Sequence, residues 1–246
     1  MDSFERRISR VIAHRGASAD APENTLAALT LAVEQGAKSV EVDAMISSDG
    51  VAYLHHDDGL HRCTDGTGYL CSHPSAVLDT LDASGAHASF KPEPLPRLDA
   101  AIALLIDNEI GLNLEIKPTP GLEKETAEAV IKSLKNTWPH ALPLVLSSFS
   151  KDALETALDL WPEAPRALIT CTVPKDWQAQ LAALECTNLH MAAPLLTKED
   201  ASRIKEAGYG LFCYTVNDVD QAKSLLAMGV DGVFTDKPKM LLNAGI

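Results

Sequence analysis

The sequence predicts an α/β fold: a single-domain TIM-type (β/α)8 barrel spanning 1–246, with a small insertion at about 59–96, after the second β-α unit. Three observations lead there. Short apolar, β-branched runs alternate with amphipathic helical segments almost from end to end, a rhythm that implies parallel strands joined by helical crossovers. The alternation yields about eight β-α units in 246 residues, the number and length that close a barrel rather than leave an open sheet. No G-x-G-x-x-G or G-x-x-x-x-G-K-[ST] loop is present, which sets aside dinucleotide and nucleoside triphosphate sheets.

Element by element, a first strand is expected over Ile8–Ala13, then a helix from about Asn24 to Gln35 and a strand over Ser39–Ile46. The Ser48–Gly50 turn leads into an extra extended piece, Val51–His56. Beyond the insertion, helices at Leu98–Asn108, Glu123–Asn136, Lys151–Leu160, Asp176–Leu184, Lys198–Ala207 and Val219–Met228 alternate with strands at Gly111–Ile116, Leu144–Ser148, Arg166–Thr170, Leu189–Ala192, Gly210–Val216 and Gly232–Thr235. A helical turn near Met240 closes the chain. Asn24, Ser150, Thr197 and Asn217 stand where helix N-caps belong, and Gly36, Gly208 and Gly229 where helices end. Residues Gly59–Pro96, rich in Gly, Ser, Pro, Asp and His, break the rhythm and read as a long excursion with one short helix near Ser75–Leu81, placed to shape a barrel mouth.

Composition narrows the function. An apolar fraction of 46% with 22% charged residues is that of a globular protein and excludes disordered and fibrous classes. A net charge of -13 argues against nucleic-acid partners and against a polybasic membrane patch, while leaving room for a small phosphate-bearing substrate held by a few local cations. The five cysteines are odd in number and contain no C-x-x-C pair, which fits reduced thiols better than a disulfide framework or a thiolate zinc site. Met1–Arg7 lacks the apolar core of a secretory signal, and no apolar run approaches a membrane span. A cytoplasmic protein without stable membrane association is expected; the oligomeric state is not legible.

Reactive residues gather at strand C-terminal ends, where barrels build their active sites. The first strand ends in His14-Arg15-Gly16: a group that titrates near neutrality, a forked donor suited to phosphate oxygens, and a residue that permits a sharp turn. In Glu41-Val42-Asp43 the two carboxylates share one strand face. If that face is inward, the like charges need a neutralising partner, and a hard divalent cation such as Mg²⁺, Ca²⁺ or Mn²⁺ supplies it. Glu115 can complete a three-carboxylate site, with Lys117 on the same face. His55-His56-Asp57-Asp58 offers a second acid/base member. Smaller signals end later strands: Ser147-Ser148-Phe149, Tyr214-Thr215-Val216-Asn217 and Thr235-Asp236, of which the aromatics Phe149 and Tyr214 can wall a small polar substrate. Trp138, Trp161, Trp177 and Cys213 read as core.

Together these pieces resemble the glycerophosphodiester phosphodiesterase family in its compact bacterial cytosolic form. The resemblance is carried by Ala13-His14-Arg15-Gly16, Ala21-Pro22-Glu23-Asn24-Thr25, Val40-Glu41-Val42-Asp43, His56-Asp57-Asp58, Leu114-Glu115-Ile116-Lys117-Pro118, Ser147-Ser148-Phe149 and Tyr214-Thr215-Val216-Asn217, in order over nearly the whole chain. It implies metal-dependent hydrolysis of glycerophosphodiesters to sn-glycerol 3-phosphate and an alcohol. It assigns Glu41, Asp43 and Glu115 to a divalent metal, Mg²⁺ or Ca²⁺, His14 and His56 to acid/base work, and Arg15 and Lys117 to the phosphate. His55 stands where relatives often carry an apolar residue, and register with Asp57 selects His56. The nucleophile, water or the substrate's own glycerol hydroxyl, stays open. The alternatives are a barrel phosphodiesterase acting on lysophospholipids, a non-catalytic barrel that binds phosphorylated metabolites, and an aldolase or isomerase using Lys117 as a Schiff base.

Overall fold

The computed structural model describes residues 8–246, so the expectation about Met1–Arg7 lies outside the described residues. Eight parallel strands close on themselves: β1 (Val11–His14), β2 (Ser39–Ile46), β4 (Gly111–Ile116), β5 (Leu144–Ser148), β6 (Arg166–Thr170), β7 (Asn188–Ala192), β8 (Gly210–Tyr214) and β9 (Gly232–Thr235). Both β1–β2 and β1–β9 pair in parallel, which completes the ring and leaves none of these eight strands with an open edge. The extra extended piece is β3 (Ala52–Leu54), a short antiparallel strand on β2. Every residue of β2 and β4 is buried, because helices cover one face of each strand and the barrel interior the other.

Helices α1 (Leu26–Glu34), α3 (Leu98–Asp107), α4 (Glu123–Leu134), α5 (Lys151–Leu160), α6 (Trp177–Ala183), α7 (Lys198–Glu206), α8 (Val219–Ala227) and α9 (Pro238–Asn243) form the outer layer. Their apolar faces meet the outward residues of the strands in two continuous half-shells, one holding Trp138 and Trp161, the other Trp177 and Cys213. Ile12, Phe212 and Phe234 form a small separate apolar cluster, and Phe234 also lines the cavity. Ser150 and Thr197 cap α5 and α7, but two expected caps are displaced by one residue: Thr25 caps α1 and Asp218 caps α8. Asn24 and Asn217 are occupied elsewhere, each with a carboxylate at the barrel mouth.

The 59–96 segment has a core of its own. Leu60, Leu70, Leu78, Ala83 and Leu95 pack on Met45 and Tyr53, and the only α-helix in the segment is the single turn α2 (Ser75–Leu78). Isolated bridges Gly59–Tyr69 and Asp82–Pro94 fold it back on itself. The segment is therefore a packed cap beside β2 and β3 rather than a loose loop.

Gly16 shows how tightly the first turn is drawn. It adopts φ +83, and a Cβ there would lie 2.6 Å from the Ala28 carbonyl carbon. Gly16→Ala combines a left-handed penalty with a backbone clash, so a loss of about 2 kcal/mol or more is expected. In a chain of this size that lowers the thermal midpoint by roughly 4–8 °C. An unchanged midpoint in a calorimetric scan would contradict this packing account.

Candidate active site

The strand register brings the acidic residues together. Asp43 and Glu115 are Cα partners across β2 and β4, and Glu41, two residues earlier on the same face, is the partner of both His14 on β1 and Asn113 on β4. The ligand oxygens of Glu41, Asp43 and Glu115 lie within 4.8 Å of one another, and all three side chains are buried. Three carboxylates face two cations. Arg15 Nε stands 3.2 Å from Asp43 Oδ2, an ion pair without hydrogen-bond alignment. Lys117 Nζ is 3.3 Å from Glu115 and 3.8 Å from Asp43.

Burial more than this imbalance governs the proton affinities. Burial, then the charge of Asp43, pushes the Glu41 carboxyl well above the usual range and raises Glu115 as well. Burial works against ionisation of Asp43 too, but Arg15 and then Lys117 outweigh it and hold Asp43 below its ordinary value. Asn24 adds a two-point clasp on the same residue: its Nδ2 donates to Asp43 Oδ2 at 2.8 Å, and its Oδ1 accepts from the Asp43 backbone N–H at 3.1 Å. The Asn24 backbone sits at φ 56, a conformation Asn tolerates, which turns the side chain inward.

Each candidate acid/base histidine carries an aspartate on Nδ1. His14 Nδ1 is 2.7 Å from Asp236 Oδ1, and its Nε2 points to Glu41, 3.9 Å away. His56 Nδ1 is 2.6 Å from Asp57 Oδ1, and burial lowers the pKa of its ring. In neutral rings these bonds place the proton on Nδ1 and leave Nε2 as the basic atom. Of the adjacent pair, His56 lines the cavity, whereas buried His55 turns away and its Nε2 lies 3.1 Å from the Gly59 carbonyl.

The cavity has a volume of about 160 Å³ and opens at the C-terminal ends of the strands. His14, Arg15, Glu41, His56, Glu115, Lys117, Phe149 and Tyr214 all line it; of the residues predicted from sequence, Asp43 alone lies buried behind the lining, at 1% exposure. Phe149 and Tyr214 meet edge to face, with centroids 6.2 Å apart, as one apolar wall. Lys117 is bracketed by carboxylates rather than by apolar surface, which is unlike the setting of a Schiff-base lysine.

A sequence profile of the glycerophosphoryl diester phosphodiesterase family matches residues 14–240, the whole span from His14 to α9. The chain belongs to this family. Among similar structures is a phosphodiesterase of Oleispira antarctica solved with the product sn-glycerol-3-phosphate, 44% identical over 96% of both chains, with a TM-score of 0.94. The glycerophosphodiester phosphodiesterase of Caldanaerobacter subterraneus is 31% identical over 235 residues, covering 95% of this chain and 96% of its own. Human glycerophosphodiester phosphodiesterase 1 is 41% identical over 174 residues, 70% of this chain and half the human protein (50%).

Several further residues of this candidate site stand out only in the folded protein. Asp236, noted only as the end of the last strand, is held by Asn217 Nδ2 at 2.6 Å and Ser18 at 3.1 Å while it holds His14. Asn113 shares a face with Glu115, donates to Ser147 Oγ at 2.9 Å, and leaves its Oδ1 unpaired at the cavity. The N-x-E-x-K alternation over Asn113–Lys117 and the strand-end position of Asp236 are the signals that point to them. His190 is clamped between Phe212 and Phe234, with centroids 5.4 and 5.0 Å away, and burial pushes its pKa down to about 3, so it lines the cavity floor as a neutral ring.

Proposed function

We propose that this chain acts as a single barrel domain which hydrolyses glycerophosphodiesters to sn-glycerol 3-phosphate and an alcohol. On this reading a divalent cation, Mg²⁺ or Ca²⁺, sits on Glu41, Asp43 and Glu115, and His14 and His56 transfer the protons. The observation that carries the reading is the buried acidic triad flanked by two histidines, each with an aspartate on Nδ1, around one small cavity.

The residues fit a hard cation. All donors are carboxylate oxygens, they converge within 4.8 Å, and burial followed by the neighbouring Asp43 charge raises the proton affinities of Glu41 and Glu115, a setting that a bound cation would relieve. When bound, such an ion polarises a phosphoryl oxygen and orients a hydroxyl. Arg15 and Lys117, at the same cavity, supply donors to the other phosphate oxygens and stabilise the charge that grows on them. One histidine Nε2 takes the proton of the nucleophile, water or a substrate hydroxyl, and the other delivers a proton to the leaving alkoxide. The aspartates orient both rings: the base starts neutral, with its proton on Nδ1 and Nε2 free, and the acid starts as the imidazolium, which gives up its Nε2 proton and keeps the one on Nδ1. The Phe149–Tyr214 wall shields the apolar carbons of a small polar substrate.

Among the described residues no helix is long and apolar enough to cross a membrane. We place the enzyme in a reducing cytoplasm, a reading supported by five unpaired cysteines.

The deciding measurement is release of sn-glycerol 3-phosphate from glycerophosphocholine by purified protein, with EDTA and after re-addition of Mg²⁺ or Ca²⁺. Release that EDTA abolishes and metal restores is expected. Undiminished release in EDTA would remove the metal from the reading. Absence of release from every head group with any metal, alongside turnover of lysophospholipid vesicles, would replace the substrate class.

A further inference from the structure

Arg62 lies outside the cavity, at the end of the turn Leu60–Arg62 that opens the 59–96 segment, and its guanidinium forks onto two carboxylates. It reaches Glu23 through Nη1–Oε2 at 2.6 Å and Nη2–Oε1 at 2.8 Å, and Asp57 through Nε–Oδ2 at 2.5 Å and Nη2–Oδ1 at 2.9 Å. Each carboxylate in turn grips a cavity residue. Glu23 Oε1 accepts from Arg15 Nη1 at 2.8 Å, and Asp57 Oδ1 meets His56 Nδ1 at 2.6 Å. The result is an unbroken chain of hydrogen bonds, His56–Asp57–Arg62–Glu23–Arg15, with Arg62 at its centre.

We infer that Arg62 is a positioning residue which makes the 59–96 segment part of the phosphate and proton-transfer machinery; this rests on the proposed roles of Arg15 and His56. The reason is a competition for charge. Arg15 also stands against Asp43, and Glu41 accepts a hydrogen bond from the Arg15 backbone N–H at 3.1 Å. Were Arg62 absent, Glu23 would have Arg15 as its only cation among the described residues and would hold that guanidinium against itself instead of leaving it for a phosphate. Asp57 would lose the two bonds that fix its carboxylate plane behind His56. An isolated exposed ion pair is worth little, but a bidentate network that orients two site residues acts through geometry, where displacements of an ångström count. A lysine at this position cannot fork to both partners.

The test compares Arg62→Met, Arg62→Lys and the double variant Arg62→Met with Glu23→Gln, reading kcat and KM for glycerophosphocholine, calorimetric affinity for inorganic phosphate, and the thermal midpoint. Arg62→Met is expected to lose about 10–100-fold in kcat/KM with weaker phosphate binding and a near-parental midpoint. Arg62→Lys should recover only part of the loss. Adding Glu23→Gln to Arg62→Met should restore phosphate affinity, because the competing carboxylate is gone. Parental phosphate affinity and turnover in Arg62→Met would overturn the inference. So would a double variant that binds phosphate more weakly than Arg62→Met, or a loss that tracks the midpoint and is fully rescued by Lys, since these mark a structural salt bridge. A parental protein that binds phosphate but releases no sn-glycerol 3-phosphate would sink the functional reading, while the phosphate affinities of the variants would still judge Arg62.

Discussion

His14→Ala is expected to lower kcat on glycerophosphocholine by about 10²–10⁴-fold, with a similar fall for His56→Ala, while both proteins keep the parental fold. The geometry sets this scale. Each imidazole is held from behind by a carboxylate, at 2.7 Å for His14 and 2.6 Å for His56, and neither ring belongs to the apolar core, so truncation removes a proton carrier without emptying a packed site. A substrate with a p-nitrophenolate leaving group separates the two roles. That group departs without a proton, so the variant lacking the general acid should recover much of its rate on it, whereas the variant lacking the general base should stay slow. Near-parental kcat with glycerophosphocholine in either variant would remove that histidine from the proposed mechanism. Equal losses on both substrates in both variants would argue that the rings position substrate rather than move protons.

Glu41→Gln carries the second large effect, and its signature is a pair of opposite signs. The variant should be inactive or demand roughly 100-fold more metal, since one of the three proposed carboxylate ligands is lost. Yet the metal-free protein should be as stable as the parent or more so, because the substitution removes a buried carboxyl whose ionisation is opposed by burial and by Asp43. The amide oxygen can still accept the hydrogen bond from the Arg15 backbone N–H that Glu41 Oε2 accepts at 3.1 Å. The raised affinities of Glu41 and Glu115 also give a direction with pH. Protonated carboxyls do not ligate, so metal affinity rises as pH rises and binding expels protons into the buffer. Calorimetry in buffers of different ionisation enthalpy measures that release. A Glu41→Gln protein with the parental metal requirement would take Glu41 out of the metal site. No proton release in the parent would show that the triad is already ionised without metal.

The barrel was legible in the sequence because its evidence is local. Strand and helix periods are written within each segment, and Glu41 with Asp43, or Glu115 with Lys117, fall on one face through the two-residue repeat of a strand alone. The candidate site residues could be named for a related reason: several stand at or just past strand ends, the working face of this fold, and Glu41 and Asp43 share one face within β2. Where local signals competed, sequence was less informative. Asn24 and Asn217 look like helix caps, and only their carboxylate partners reveal that the caps lie one residue further on. The 59–96 segment reads as a loop because its polar composition hides a few buried Leu residues with no regular period.

What the sequence by itself determined was the set of chemical groups and the side of each strand they occupy. What only the tertiary structure decided was which groups meet. The register of β2 on β4 sets Asp43 beside Glu115, and closure of β9 on β1 allows Asp236 to hold His14 across a separation of 222 residues. The packing of the small cap beside β2 and β3 lets Arg62 join Glu23 to Asp57. The physical reason is that side-chain direction follows from the covalent geometry of each segment, whereas register, closure and docking are cooperative outcomes of burying all the apolar faces at once.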